Sequence, residues 1–355
     1  MKKILCALSA ILVVAGCERE QSNKPVIRIG MLYPLSGNAA VFGDTAKMAT
    51  KMFFDDHQNT KYKYELVWED SQANPATAVS AVRKLINFDK VDIILDMYSS
   101  VGLAVSPITN EVKIPHLTFA QDRNISNGFY NWRVVTSTKK TGEKTYNALH
   151  HRKLKNITAV VENTPGTLSL YEGFKHIAQK DKEMKITEIM VNPGERDFNV
   201  ILNKINKNPS DIVLTVLQSP EVDVFMRQAK NNSLSVPITG VQSFTMLKDK
   251  SLADGIWYVD VTMATKEFLS KYNKISKNAP TNFAENFYTQ LLVTVTNFEM
   301  FDTKPTAEEF INNLSVVDGV VSPLGKLIYD KDEQNIDTNA SVRKVENGNI
   351  TEIAE

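Results

Sequence analysis

The chain has 355 residues, and its 41 Lys and Arg balance 41 Asp and Glu. That balance offers no basic field for nucleic acid, while 43% hydrophobic residues are enough to fill one large or two medium cores. Its two cysteines, Cys6 and Cys17, both lie near the N-terminus, which leaves the remainder without thiols for disulfides, metal ligation or nucleophilic chemistry.

Met1-Lys2-Lys3 is a short cationic start, Ile4 to Val14 is almost wholly apolar, and Val14-Ala15-Gly16-Cys17 ends the run with small residues. The pattern reads as a secretory signal peptide over residues 1–16, too short for a spanning helix. A cysteine at the cleavage point is the arrangement of a bacterial lipoprotein, in which Cys17 would carry lipid; the plainer alternative is an ordinary signal with a chance cysteine. Several acyl chains hold a domain on a membrane durably where one holds it only marginally. Residues 17–25 then read as a lipidated tether at the extracytoplasmic face of the cell envelope, on the periplasmic side in a Gram-negative host.

Strands and helices alternate beyond the tether. Strands are expected over 26–32, 62–69, 91–95 and 115–119, with helices over 43–58, 75–86 and 102–112 between them. Asn74-Pro75 reads as an N-cap followed by proline at the first helical position. The rhythm restarts with strands over 157–161, 185–191, 212–217 and 236–240 and helices over 168–179, 198–207 and 220–231. Two β-α-β-α-β runs predict an α/β protein of two doubly wound lobes. Ligands of such sheets sit beyond the carboxyl ends of the strands. That rule selects the loops 34–44, 70–74, 96–102, 120–126, 162–167, 217–220 and 240–244. The first loop has Gly37 and Gly43 at the wrong spacing for a dinucleotide fingerprint. What it offers a cleft is a hydroxyl, Ser36, and an aromatic ring, Phe42.

The segments IRIGMLYPLSGNAAVFGD (27–44), WEDSQANPATAVSAVRKLI (68–86), DMYSSVGLAVSPITNEVKIPHLTFAQDRNIS (96–126), VLTVLQSPEVDVFMRQAKNNSL (213–234) and DGVVSPLGKLIYDKDEQNI (318–336) occur in an order and spacing that resembles the leucine/isoleucine/valine-binding protein family. These are type I periplasmic substrate-binding proteins of ABC importers. The resemblance implies two Rossmann-like lobes joined by three hinge crossings, expected near 134–137, 258–262 and 322–327. The first lobe would comprise 26–134 plus 260–322, and the second 135–259 plus 323–355.

The resemblance also implies a ligand site. Ser99 and the loop at Ala120 and Asp122 match positions that clamp a ligand carboxylate, although Ser100 could simply cap its helix. Asp122 could pair with a ligand ammonium, or equally sit at the rim with Arg123 or a lysine. Phe42 and Phe283 match aromatics that close over the ligand, and Tyr98 stands where relatives have a smaller residue. In the second lobe Gly166 and Gln218 fall where the family places aromatics, and Gln242 falls where it places the acid that receives an ammonium. The alternative for Gln242 is a water-exposed loop residue. Neutral Gln218 and Gln242 point to a small polar solute, an amino acid, an amide or a related compound.

The expected activity is delivery of that solute to an ABC permease by lobe closure, by a monomer with no cofactor and no metal. The alternative is a lipoprotein of the same fold that regulates an envelope partner without transport. An enzyme is not expected, since no nucleophile elbow or ordered triad is present. His116 reads as structural, His150-His151 and Asp55-Asp56 as surface.

Overall fold

The structure, a computed structural model, describes residues 24–277, 281 and 283–354. The expected signal peptide, the lipid acceptor Cys17 and most of the tether lie outside the described residues. Strand β1 (Val26–Tyr33) starts where the polar tether ends, and its apolar run is buried between helices on both faces. Helix α1 (Ala40–Asp56) follows a turn that passes so close to it that a Cβ at Gly43 would overlap the Pro34 carbonyl. Then come β2 (Lys63–Asp70) and α2 (Pro75–Asn87). Asn74 Oδ1 accepts from the amides of Ala76 and Thr77 at 2.9 and 3.1 Å, which confirms the expected cap.

The first lobe continues through β3 (Ile93–Met97), α3 (Ser99–Val112), β4 (His116–Phe119) and β5 (Asn131–Val134). The second contains α4 (Thr138–His151), β6 (Asn156–Glu162), α5 (Pro165–Ala178), β7 (Lys185–Val191), α6 (Asn199–Lys207), β8 (Ile212–Val216), α7 (Glu221–Asn231), β9 (Ile238–Gly240) and β10 (Trp257–Val261). The chain then returns to the first lobe as α8 (Lys266–Ser276), α9 (Ala284–Glu299) and α10 (Ala307–Asn312). Phe268, Phe287, Leu291 and Phe310 from these helices share one core with Ile29, Met31 and Phe53. The opposite face of the sheet packs Leu32 and Ile94 on Val82, Leu85 and Val105. Each such buried side chain stabilises the fold by roughly 1.5–3 kcal/mol.

Two hairpins and a final pair complete the chain: β11 (Val321–Ser322) with β12 (Gly325–Lys326), β13 (Ile328–Asp330) with β14 (Asn335–Asp337), and β15 (Ala340–Glu346) with β16 (Asn349–Ile353). The seven-stranded sheet runs β13-β14-β5-β4-β3-β1-β2, parallel except for β13. The second lobe holds the parallel sheet β7-β6-β8-β9, and Val241 bridges it to Val259 of the antiparallel sheet β10-β15-β16.

This pairing corrects the expected third crossing at 322–327. Residues 328–337 belong to the first lobe's sheet, because Asn335 pairs in parallel with Arg133 and its Nδ2 donates to the Val135 carbonyl at 2.8 Å. The chain crosses only at 338–339. There Thr338 contacts the Thr136 hydroxyl, Ser137 N–H donates to Asp337 at 2.9 Å, and Thr262 N–H donates to the Asn339 carbonyl at 2.8 Å. The three crossings thus lie side by side.

His116 is fully buried in β4, with Nε2 3.1 Å from Asp96 Oδ2 and Nδ1 3.1 Å from Asn131 Oδ1, as suits a structural histidine. His150 and His151 are exposed at the end of α4. Asp55 and Asp56 pair with Lys51 and Lys271.

Candidate functional site

The site assembles from the loops that leave the carboxyl ends of both sheets. Helix α3 begins at Ser99 directly after β3, so the two serines form its first turn and do not precede it. Its cap is Tyr98, at φ +77° and with no side-chain hydrogen bond to the helix amides. The first-turn amides are therefore left without a helical or capping partner, and with the helix dipole they favour an anion. Ser99 Oγ accepts from the N–H groups of Gln121 and Asp122, both at 3.2 Å. A hydroxyl that accepts twice keeps one hydrogen to donate.

Four half-buried rings stand at the same end of the first sheet. Phe42 lies 5.9 Å from Phe283 with the planes 19° apart, and meets Tyr98 edge-on at 5.8 Å. Phe119, at the end of β4, lies 5.3 Å from Phe283. The structure thus brings Phe42, Phe283 and Tyr98 into one aromatic cluster. Burial pushes the Tyr98 phenol far above its ordinary range, so it is neutral.

The second lobe meets this surface directly. Gly166, in the first turn of α5, comes so close that a Cβ on it would stand 3.2 Å from Ser99 Oγ and 4.0 Å from Gln218 Nε2. Gln121 Nε2 donates to Gln242 Oε1 at 3.4 Å across the cleft. Gln242 therefore points inward, and its backbone adopts φ +52°. Tyr98, Gln242 and Phe283 all have positive φ, which is costly for such residues and collects at sites that over-determine it. Gln218 is exposed, and its backbone N–H donates to Glu162 Oε2 at 3.0 Å. Glu162 is buried at the end of β6, and burial raises its carboxyl above the usual range.

Two expected positions behave differently. Ser36 is exposed, and its hydroxyl donates to Asp70 Oδ2 at 2.5 Å, so it serves the turn between β1 and α1. Burial pushes the Asp70 carboxyl up, but hydrogen bonds from the Ser36 hydroxyl and the amides of Gln72 and Leu35 outweigh it and hold it below its ordinary value. Asp122 is buried and accepts from Asn124 N–H at 2.9 Å, while Arg123 pairs with Glu333 at 2.6 Å, so of the alternatives open for Asp122 the pairing with Arg123 is not made. Asp122 lines a groove of about 1170 Å³ beside the cleft, with Pro165, Leu168 and His176 of α5 opposite it. Ala120 is buried, one residue before Gln121. Sequence reasoning passed over Gln121 and Glu162, although Gln121 lies between two residues it singled out.

A sequence model described as "Periplasmic binding protein" matches residues 26–349. A Leu/Ile/Val-binding protein of Rhizobium johnstonii is 22% identical, the match covering 91% of this chain and 93% of that one. Among solved structures, a leucine-binding protein of Thermotoga maritima superposes with a TM-score of 0.83 at 17% identity, over 92% of this chain and 98% of that one. A solute-binding protein of an ABC transporter from Rhodopseudomonas palustris, in complex with 3,4-dihydroxybenzoic acid, gives 0.82 at 20% identity, over 93% and 96% of the two chains. No helix among the described residues is long and apolar enough to cross a membrane.

Proposed function

Because this chain belongs to the periplasmic binding protein family, we propose that it is a lipid-anchored, extracytoplasmic receptor that delivers a small carboxylate-bearing solute to an ABC permease. The observation that carries this reading is the convergence of Ser99 from the first lobe with Gly166 and Gln218 from the second. A ligand held at the α3 N-terminus touches both lobes, and so stabilises the closed form by its differential affinity. The side-by-side crossings at 136–137, 262 and 338–339 are where such a closure would bend. Small carboxylates also fit the leucine and the dihydroxybenzoic acid named for the two structural neighbours. The acceptor of the anchor would be Cys17, and the protein would act as a monomer.

Small-angle scattering on the mature chain tests closure: a ligand found by thermal-shift screening should reduce the radius of gyration. An unchanged radius, with binding confirmed by calorimetry, removes the lobe-closure mechanism. Fatty-acid labelling tests the anchor, which Cys17→Ser should abolish; a mutant that still labels removes it.

A further inference from the structure

The contact between Gln121 and Gln242 leaves two polar atoms over. Gln121 Nε2 donates to Gln242 Oε1, but Gln121 Oε1 and Gln242 Nε2 are shielded from solvent and have no hydrogen-bond partner. One bond between two amides uses one donor and one acceptor. Whichever way the side chains are turned, one oxygen on one residue and one nitrogen on the other remain. A buried acceptor and donor are costly unless a third group satisfies them. A hydroxyl donates once and accepts once, and so fits both. An ammonium only donates, and it brings a charge that neutral amides do not balance.

Two buried carboxylates near the second-lobe side of the seam are already committed: Asp260, next to the Val259 whose carbonyl takes the Gln242 N–H, pairs with Arg343, and burial pushes the Glu285 carboxyl up toward its neutral form. Asp122 is turned to Asn124. Glu162 accepts from the Gln218 backbone N–H. The seam also adjoins the anion-favouring end of the site, since the backbone N–H of Gln121 itself reaches Ser99 Oγ. On the first-lobe side the rings of Phe42, Tyr98, Phe119 and Phe283 form an aromatic cluster in which Phe42 and Phe283 lie nearly parallel and Tyr98 stands edge-on to Phe42.

We propose that the cleft selects aromatic hydroxy acids: a carboxylate at the α3 N-terminus, a neutral hydroxyl between Gln121 and Gln242 where an amino acid carries its ammonium, and a ring against Phe42 and Phe283. This rests on the solute-binding reading above and names its ligand class.

The test is calorimetry on the mature chain with 3-phenyllactate and phenylalanine, which differ only in hydroxyl against ammonium, and with benzoate and leucine alongside. 3-Phenyllactate should bind about tenfold or more tighter than phenylalanine. Gln242→Glu should narrow or invert that ratio. Gln121→Leu should weaken 3-phenyllactate but leave benzoate, which has no hydroxyl, within about twofold. Phenylalanine or leucine binding as well as 3-phenyllactate overturns the selection and leaves the binding-protein reading standing. Equal losses for 3-phenyllactate and benzoate in Gln121→Leu overturn the hydroxyl contact. If none of the four probes binds while a wider solute screen finds another ligand, only the ligand class falls. If that screen is also empty, both readings fall.

Discussion

Ser99 and Gly166 face each other across the cleft so closely that any side chain on Gly166 would press on the serine hydroxyl, a Cβ there standing 3.2 Å from Oγ. Gly166 lies in the first turn of a helix capped reciprocally by Thr164 and Thr167, so the lobe that carries it presents a rigid edge. The two lobes therefore approach each other closely at this point, where the proposed ligand would sit.

Gly166→Leu should act as a prop. The helix tolerates a side chain there, so the melting temperature should stay within about 4 °C of the parent. Affinity for 3-phenyllactate should fall by about tenfold or more, a loss of about 1.4 kcal/mol, and scattering should report a larger radius with ligand than the parent shows. Parental affinity in the variant would mean that the two lobes do not meet here in the bound form.

Ser99→Ala removes the acceptor for the backbone N–H groups of Gln121 and Asp122 and the proposed donor to the ligand carboxylate. Loss of a hydrogen bond to a charged group costs roughly 1.5–3 kcal/mol, about ten- to a hundred-fold in affinity. Calorimetry with 3-phenyllactate reads the loss. Ser99→Thr, which keeps the hydroxyl, should recover most of it, a recovery that mere loop disorder would not give.

Arg343 and Asp260 form a buried ion pair in the second lobe at 3.5 Å, and Arg343 Nη1 also donates to the Thr245 hydroxyl at 3.1 Å. Arg343→Leu strands the Asp260 carboxylate in the interior and should cost roughly 3–5 kcal/mol in urea unfolding. Adding Asp260→Asn should restore part of that. A single mutant as stable as the parent would show that water reaches the pair.

Glu162 gives a pH signature. Burial raises its folded carboxyl above the unfolded value. The folded state then holds the proton over a window where the unfolded state has lost it, so stability falls as pH rises through that window. Glu162→Gln should be more stable than the parent at about pH 8 and should lose that advantage at about pH 4, where both forms of the parent are protonated. Melting curves at the two pH values decide it, and an advantage that persists unchanged in acid would assign the effect to packing.

Local signals in this chain act within one turn or one strand, and those were legible. Asn74 caps α2 as its position beside Pro75 predicts, and Lys185–Val191 forms the strand expected of it. The order of motifs along the chain carried the family and the two doubly wound lobes. Ser99 stood out because it lies in a loop at the carboxyl end of a strand, where ligands of such sheets sit, and because the resemblance matches it to a ligand-clamping position. The third crossing was not legible, because β13 and β14 are three residues each and β14's partner β5 lies 200 positions away, so no face pattern says which sheet they join. Gln121 was invisible for the same reason. A glutamine between Ala120 and Asp122 has no periodic meaning, and its role depends on Gln242, 121 residues further along and in the other lobe. Composition, capping and alternation are energies between near neighbours, and the sequence by itself determined what they govern: the elements, their order and the kind of fold. Which side chains share the cleft depends on how two separately formed lobes pack across a hinge, and only the tertiary structure decided that.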